Sequence, residues 1–101
     1  MMARFSISLT DEAKDDIQKL RKAIEETYQA PLTAARYVAE LNTKMKWLEN
    51  GADYFPIVPE LSYQYGYDIR RLNFKKMAIL YSIEGDKVFV HRIIAQSLVI
   101  Y

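Results

Sequence analysis

The spacing of apolar and polar residues changes along the chain, and each change predicts a new element. Residues 3–9 alternate with period two, so Phe5, Ile7 and Leu9 share one face of a predicted first strand. From Thr10 the apolar spacing becomes three and four, which predicts a helix to about residue 28. Thr10 is a suitable N-cap for this helix. Its apolar stripe comprises Ala13, Ile17, Leu20, Ile24 and Tyr28.

A second helix is predicted from Pro31, which suits a first helical turn, to about Asn50. Gly51 is its predicted left-handed C′ residue. Since so few residues connect the two helices, they should form an antiparallel helical hairpin. The predicted buried side of the second helix comprises Ala34, Val38, Leu41, Met45 and Leu48.

Residues 52–68 have no regular period and contain the helix-breaking residues Pro56 and Pro59. The segment is rich in aromatic residues, which form either a binding surface or a loop packed on the core. These residues are Tyr54, Phe55, Tyr63, Tyr65 and Tyr67.

The last third of the chain predicts three strands, of which the first covers residues 69–74. Gly85-Asp86 is a two-residue hairpin signal that pairs Glu84 with Lys87. The predicted core-facing pairs are Ile83 with Val88, Tyr81 with Val90, Ile79 with Arg92, and Met77 with Ile94. The other face, predicted to be open or covered by a partner, pairs Ser82 with Phe89, Leu80 with His91, and Ala78 with Ile93. A slip of one residue would exchange the two faces. Residues 97–101 either continue the last strand or form a short extra one.

This order of elements predicts an α+β fold of one domain, residues 1–101. An N-terminal strand precedes an antiparallel helical hairpin, which packs on one face of an antiparallel β-sheet. Half of the residues are hydrophobic and about a quarter are charged, which is typical of globular proteins.

The chain contains no cysteine, which excludes disulfides and thiolate chemistry and fits a reducing compartment. The start of the sequence has neither a signal-peptide pattern nor an apolar run of membrane-spanning length. We therefore expect a cytoplasmic protein, and the sequence indicates no cofactor or metal.

Charge is unevenly distributed although the net charge is only +1. Residues 1–65 hold eight basic and ten acidic residues, whereas residues 66–101 hold six basic and three acidic ones. A basic C-terminal sheet favours an acidic partner or nucleic acid, and ordinary surface charge explains it equally well. The candidate phosphate-binding or target-binding residues are Arg70, Arg71, Lys75, Lys76 and Arg92. Their alternative role is to protect strand edges from aggregation.

Motifs for catalysis are mostly absent from the sequence. There is no glycine-rich phosphate loop, no G-x-S-x-G motif and no metal-binding spacing, and His91 is the single histidine. A lone histidine in a strand is more often structural than catalytic. A general base would need a substrate within reach and a neighbour that tunes it.

The C-terminal segment resembles the sheet signature of the RelE/ParE toxin superfamily. The matching runs are Arg71-Leu72, then residues 78–86 (AILYSIEGD), then residues 88–94 (VFVHRII). The order of elements is similar over nearly the whole chain. The resemblance implies a toxin of a type II toxin-antitoxin system, with the RelE/ParE-like fold.

The same comparison indicates ParE-like, plasmid-stabilisation-type members rather than RelE-like nucleases. Ala78, Ala95 and Leu98 stand where the resemblance to RelE-like members would place Arg, His and Arg. A ribosome-dependent RNase needs such groups for proton transfer and charge stabilisation. The remaining candidates for a RelE-like endoribonuclease are Arg70, Lys76 and His91, with Arg92 as a further basic group. Direct nucleic-acid binding is therefore not favoured, except on the ribosome.

ParE-like members act by binding DNA gyrase and are neutralised by a small antitoxin, so the resemblance implies both partners here. Leu80, Phe89 and Ile93, the apolar residues of the predicted open face, are the candidate antitoxin-binding residues. The same residues could instead form a homodimer interface or part of the core. A degenerate, non-toxic member of the superfamily is the third alternative.

Overall fold

The structure is a computed structural model that describes residues 3–99. Its main elements are β1 (Ser6–Leu9), α1 (Asp11–Tyr28), α2 (Pro31–Lys46), α3 (Leu48–Gly51), α4 (Pro59–Tyr65), β2 (Arg70–Phe74), β3 (Met77–Glu84) and β4 (Lys87–Ala95). Short 3-10 turns lie at Ala52–Tyr54 and Gln96–Leu98. The second turn replaces the predicted continuation of the last strand, while residues 100 and 101 lie outside the described part. Between residues 3 and 99, no helix is long and apolar enough to cross a membrane.

Helices α1 and α2 form the predicted antiparallel hairpin. Thr10 caps α1, since its hydroxyl accepts the backbone N–H of Ala13 at 3.1 Å. Pro31 begins α2 as predicted, at a position where the missing N–H would have had no helical partner. Tyr28 departs from the predicted apolar stripe, because 67% of its surface is exposed.

The second helix ends earlier than the sequence predicted. It ends at Lys46, and a turn at Trp47 separates it from α3. Gly51 is not a left-handed C′ residue, because its φ is −125°. A Cβ at this position would lie 2.4 Å from Cη2 of Trp47, so glycine is needed for close approach of the indole ring.

The four strands form one mixed sheet in the order β1-β4-β3-β2. The α+β class is confirmed, but the prediction of a wholly antiparallel sheet was wrong, since β1 pairs with β4 in parallel. Parallel neighbours require a long connection, and here it contains the helices together with β2 and β3. Strand β3 is antiparallel to both β2 and β4.

The central hairpin has the predicted register only near its turn. Glu84 lies opposite Lys87 and Tyr81 lies opposite Val90, but the register shifts between Tyr81 and Leu80. A β-bulge at His91 adds one residue to β4, and every pair beyond it differs from the prediction. The observed pairs are Leu80 with Arg92, Ile79 with Ile93, Ala78 with Ile94, and Met77 with Ala95.

Apolar residues are buried on both faces of the sheet. On one face the helical hairpin covers a core that includes Leu41, Ile79 and Tyr81, as the sequence predicted. On the other face Leu80 packs with Leu61 of α4, so the prediction that Leu80 lies on an open face was wrong. Helix α4 was missed because its seven residues are too few to show a period.

Candidate functional site: a groove around His91

A groove lies beside the turn between β3 and β4, where the start of α1 and the end of α4 approach the sheet. Its volume is about 510 Å³. Four of its eight lining residues have an aromatic or imidazole ring, and the other four are polar or charged. The lining residues are Thr10, Glu12, Tyr65, Tyr67, Glu84, Phe89, His91 and Arg92. We call this feature the His91 groove.

The β-bulge fixes the backbone of His91, and two side chains hold its ring. The hydroxyl of Thr10 donates to the His91 carbonyl at 2.9 Å. Imidazole Nε2 shares a hydrogen bond of 2.7 Å with Oγ of Ser82, a residue that is 2% exposed. The imidazole also stacks on Tyr67, with ring centroids 5.0 Å apart and planes inclined by 26°. His91 is therefore a positioned side chain, and the ring face on Tyr67 is already occupied.

Burial lowers the pKa of His91, while the carboxylates of Glu84 and Glu12 act in the opposite direction. Burial is the largest of these effects, so the pKa of His91 lies below its ordinary value and the neutral imidazole is favoured. Both carboxylates line the same groove as the imidazole ring.

The net charge of the His91 groove is negative. Arg92 is its basic residue, and Nε and a terminal nitrogen of Arg92 donate to the Asp16 carboxylate at 2.7 and 3.1 Å. Within residues 3–99, neither Glu12 nor Glu84 forms a hydrogen bond or ion pair with its side chain. Two carboxylates without an ion-pair partner among the described residues therefore line the groove, and they repel phosphate. In the same range, no group of three or more acidic or histidine side chains is arranged to hold a metal ion.

The three residues considered for RNA cleavage do not meet in space. Lys76 precedes β3, whereas His91 contacts Ser82 near the other end of that strand, roughly 20 Å away at about 3.3 Å per residue. Arg70 pairs across the sheet with Tyr81, whose side chain points into the helix-covered core. Arg70 donates to the carbonyl groups of Asp53 and Phe55. It thus lies on the opposite face of the sheet from His91.

Three of the five predicted target-binding residues gather at the turn between β2 and β3. Gln96 links them: its side chain accepts from Arg71 at 3.3 Å and donates to the Lys75 carbonyl at 2.7 Å, and its backbone N–H donates to the Lys76 carbonyl at 2.8 Å. Lys75 also pairs with Glu40 at 2.7 Å. The exposed ammonium group of Lys76 makes no hydrogen bond or ion pair within the described residues. We call Arg71, Lys75 and Lys76 the basic turn cluster; Arg70 and Arg92 lie apart from it.

The predicted antitoxin-binding residues have different environments. Leu80 is fully buried beneath α4, and Ile93 is 2% exposed in the core beneath the helical hairpin. Placing Ile93 on the open face was wrong, because the bulge moved it to the core face. Phe89 alone of the three lines the His91 groove.

Sequence reasoning missed most of the groove. Tyr65 and Tyr67 belong to the aromatic segment for which a binding surface was one alternative, but nothing in the spacing indicated that they approach His91. Glu12 was interpreted only as a favourable first-turn acid of α1. Their proximity depends on α4 and the bulge, which leave no periodic signal.

A comparison with protein-family models identifies one family, and a solved structure shows a similar fold. The model of the ParE toxin of type II toxin-antitoxin systems, parDE, matches residues 7–98. A similar solved structure, described as the chromosomal ParDE toxin-antitoxin system from P. aeruginosa, has a TM-score of 0.74 at 19% identity. The match covers 91% of this chain and 96% of that one. Among curated proteins, none matches the chain significantly.

Proposed function

Since the chain belongs to the ParE family of toxins of type II toxin-antitoxin systems, we propose that it poisons DNA gyrase in the cytoplasm and is neutralised by a cognate antitoxin. The family match over residues 7–98 is the observation that carries this proposal. The proposal is also supported by the separation in space of Arg70, Lys76 and His91, the residues that RNA cleavage would need together.

The electrostatics of the His91 groove argue against the alternative of an mRNA endoribonuclease. Cleavage beside a 2′-hydroxyl requires a base, an acid and stabilisation of a phosphate that gains negative charge. His91 can provide one proton-transfer group. However, Glu12 and Glu84 lie beside it, and Arg92 is paired with Asp16. The phosphate would approach two carboxylates without an available cation.

The basic turn cluster is the surface that we propose for the gyrase contact. Lys76 has an exposed charge, and the neighbouring ion pair of Lys75 with Glu40 is also exposed. Electrostatic attraction between such a surface and an acidic patch raises association rates. Arg92 does not belong to this surface, because it lies at the edge of β4 and is held by Asp16.

A gyrase cleavage assay tests the proposal. The purified chain is added to DNA gyrase, ATP and supercoiled plasmid, and trapped double-strand breaks are released by detergent and protease. We expect breaks with the wild-type chain and fewer with Lys76→Glu. Lys22→Glu is the matched control, because Lys22 is an exposed lysine on α1 outside the cluster.

Two other outcomes have distinct meanings. Codon-specific cuts in ribosome-bound mRNA after induction, without DNA damage or filamentation, would support the endoribonuclease alternative. Antitoxin binding with neither gyrase breaks nor mRNA cuts would indicate a degenerate, non-toxic member of the family.

A further inference from the structure

The charge and chemistry of the His91 groove fit a cation. Its aromatic groups include Tyr65, Tyr67 and Phe89, and its two carboxylates without an ion-pair partner among the described residues are those of Glu12 and Glu84. Aromatic faces attract cations, and the attraction grows where water is displaced. Carboxylates that line the same cleft add Coulombic attraction and hydrogen-bond acceptors.

A guanidinium group suits this groove better than an ammonium group. Guanidinium is planar, weakly hydrated and stacks on aromatic rings, and it donates to carboxylates in pairs. The groove offers aromatic and acidic groups together, with a volume of about 510 Å³ that accommodates a long side chain. The guanidinium group of Arg92 does not fill this role, because it is paired with the Asp16 carboxylate.

We propose that the His91 groove is a receptor for an arginine side chain of the antitoxin. The antitoxin is the partner that membership of a toxin-antitoxin family implies, and the proposal rests on the antitoxin complex proposed above. In the complex, the guanidinium group lies between Glu12 and Glu84 and against Tyr65, while Phe89 contacts the aliphatic stem.

Charge-neutral variants of the chain test the groove in the complex. A small protein encoded beside the toxin gene is tested as the antitoxin, and its affinity is measured by calorimetry. Glu12→Gln combined with Glu84→Gln should weaken binding by roughly tenfold or more, which is the scale of one lost charged contact. Glu26→Gln is the matched control, because Glu26 is an exposed glutamate on α1 outside the groove, and it should bind as the wild type does.

A small-molecule probe tests the chemistry without the antitoxin. N-acetyl-arginine amide should shift the NMR signals of His91, Tyr65 and Tyr67, whereas the neutral isostere N-acetyl-citrulline amide should not. Uridine 3′-monophosphate is the anionic probe. Shifts with this nucleotide in place of the arginine probe would overturn the inference and favour the nuclease alternative.

The results separate this inference from the proposed function. Unchanged antitoxin affinity in the double glutamine variant would overturn the arginine receptor, even if the arginine probe binds, while the toxin-antitoxin complex itself would stand. Failure of the wild-type chain to bind the antitoxin would instead contradict the proposed neutralisation. Thermal melting of each variant shows that it remains folded.

Discussion

The carboxylate of Asp16 accepts the backbone N–H of Ile93 at 2.9 Å, and it does so while it is paired with Arg92. Strand β1 ends at Leu9, which lies opposite Val90, so the next part of the β4 edge has no strand neighbour. Thr10 and Asp16 take over its hydrogen bonds. A side chain of α1 thus completes the sheet at the bulge that carries His91.

Replacing Asp16 by Asn should lower the free energy of unfolding by about 1–3 kcal/mol. The Asp16 side chain is only 10% exposed, and the variant loses the negative charge that strengthens its hydrogen bonds with Arg92 and with the backbone N–H of Ile93. Chemical denaturation measures the change. Asp15→Asn is the control, since Asp15 forms only an exposed pair with Lys19, and it should change stability by less than about 0.5 kcal/mol. Equal effects of the two substitutions would contradict a structural role for Asp16.

Replacing Tyr81 by Phe should cost about 1–3 kcal/mol. Its hydroxyl donates to the Ala52 carbonyl at 2.7 Å in the core, and the variant leaves that carbonyl without a partner. Burial also raises the pKa of Tyr81 to about 12, so the hydroxyl remains protonated and able to donate at neutral pH. Tyr63→Phe, at a position 93% exposed, should leave thermal stability unchanged. Tyr81→Asp should abolish cooperative folding, because it buries an unpaired charge.

Aspartate at positions 80 and 89 should have opposite consequences. Leu80 is fully buried beneath α4, so Leu80→Asp should prevent folding. Phe89 is partly exposed in the His91 groove, so Phe89→Asp should leave the fold intact. Circular dichroism and gel filtration distinguish the two results. A folded Leu80→Asp protein would show that α4 does not cover the sheet in solution.

Stability should fall on acidification through the range in which His91 titrates. Burial lowers the pKa of His91 in the folded chain, so below the ordinary value of 6.5 the unfolded chain binds more protons. The stabilisation that arises from this difference in the pKa of His91 is fully present above pH 6.5. It is lost as the pH falls from 6.5 toward the lower pKa that His91 has in the folded chain. His91→Gln, which keeps a hydrogen-bonding group for Ser82, should remove this part of the pH dependence. Denaturation midpoints at about pH 7.5 and about pH 6 measure it.

The His91 signals themselves provide a direct check of that assignment. Their NMR titration should yield a pKa below 6.5. A higher pKa would mean that Glu84 and Glu12 outweigh burial, and the wild-type chain would then gain stability on acidification over the same range.

Local pattern by itself determined the helical hairpin, the strands of the last third and the tight turn at Gly85. Each of these depends on neighbours within a few residues: Thr10 caps its own helix, and Gly85 has the positive φ of 62° that a tight turn requires. The sequence likewise determined the family, since its signature lies in contiguous strands and the family model confirms it.

Only the tertiary structure decided how much of the second sheet face is covered and where the site lies. At the bulge, the Thr10 hydroxyl donates to the His91 carbonyl and the backbone N–H of Ile93 donates to Asp16. The apolar spacing of the β4 sequence does not indicate these long-range hydrogen bonds. The bulge transfers Ile93 to the core, and α4 covers Leu80. Of the three residues that the sequence predicted for antitoxin binding, only Phe89 therefore lines the groove. Glu12, Tyr65 and Glu84 are distant in the sequence, and they meet because packing of α1 and α4 against one bulged strand brings them together.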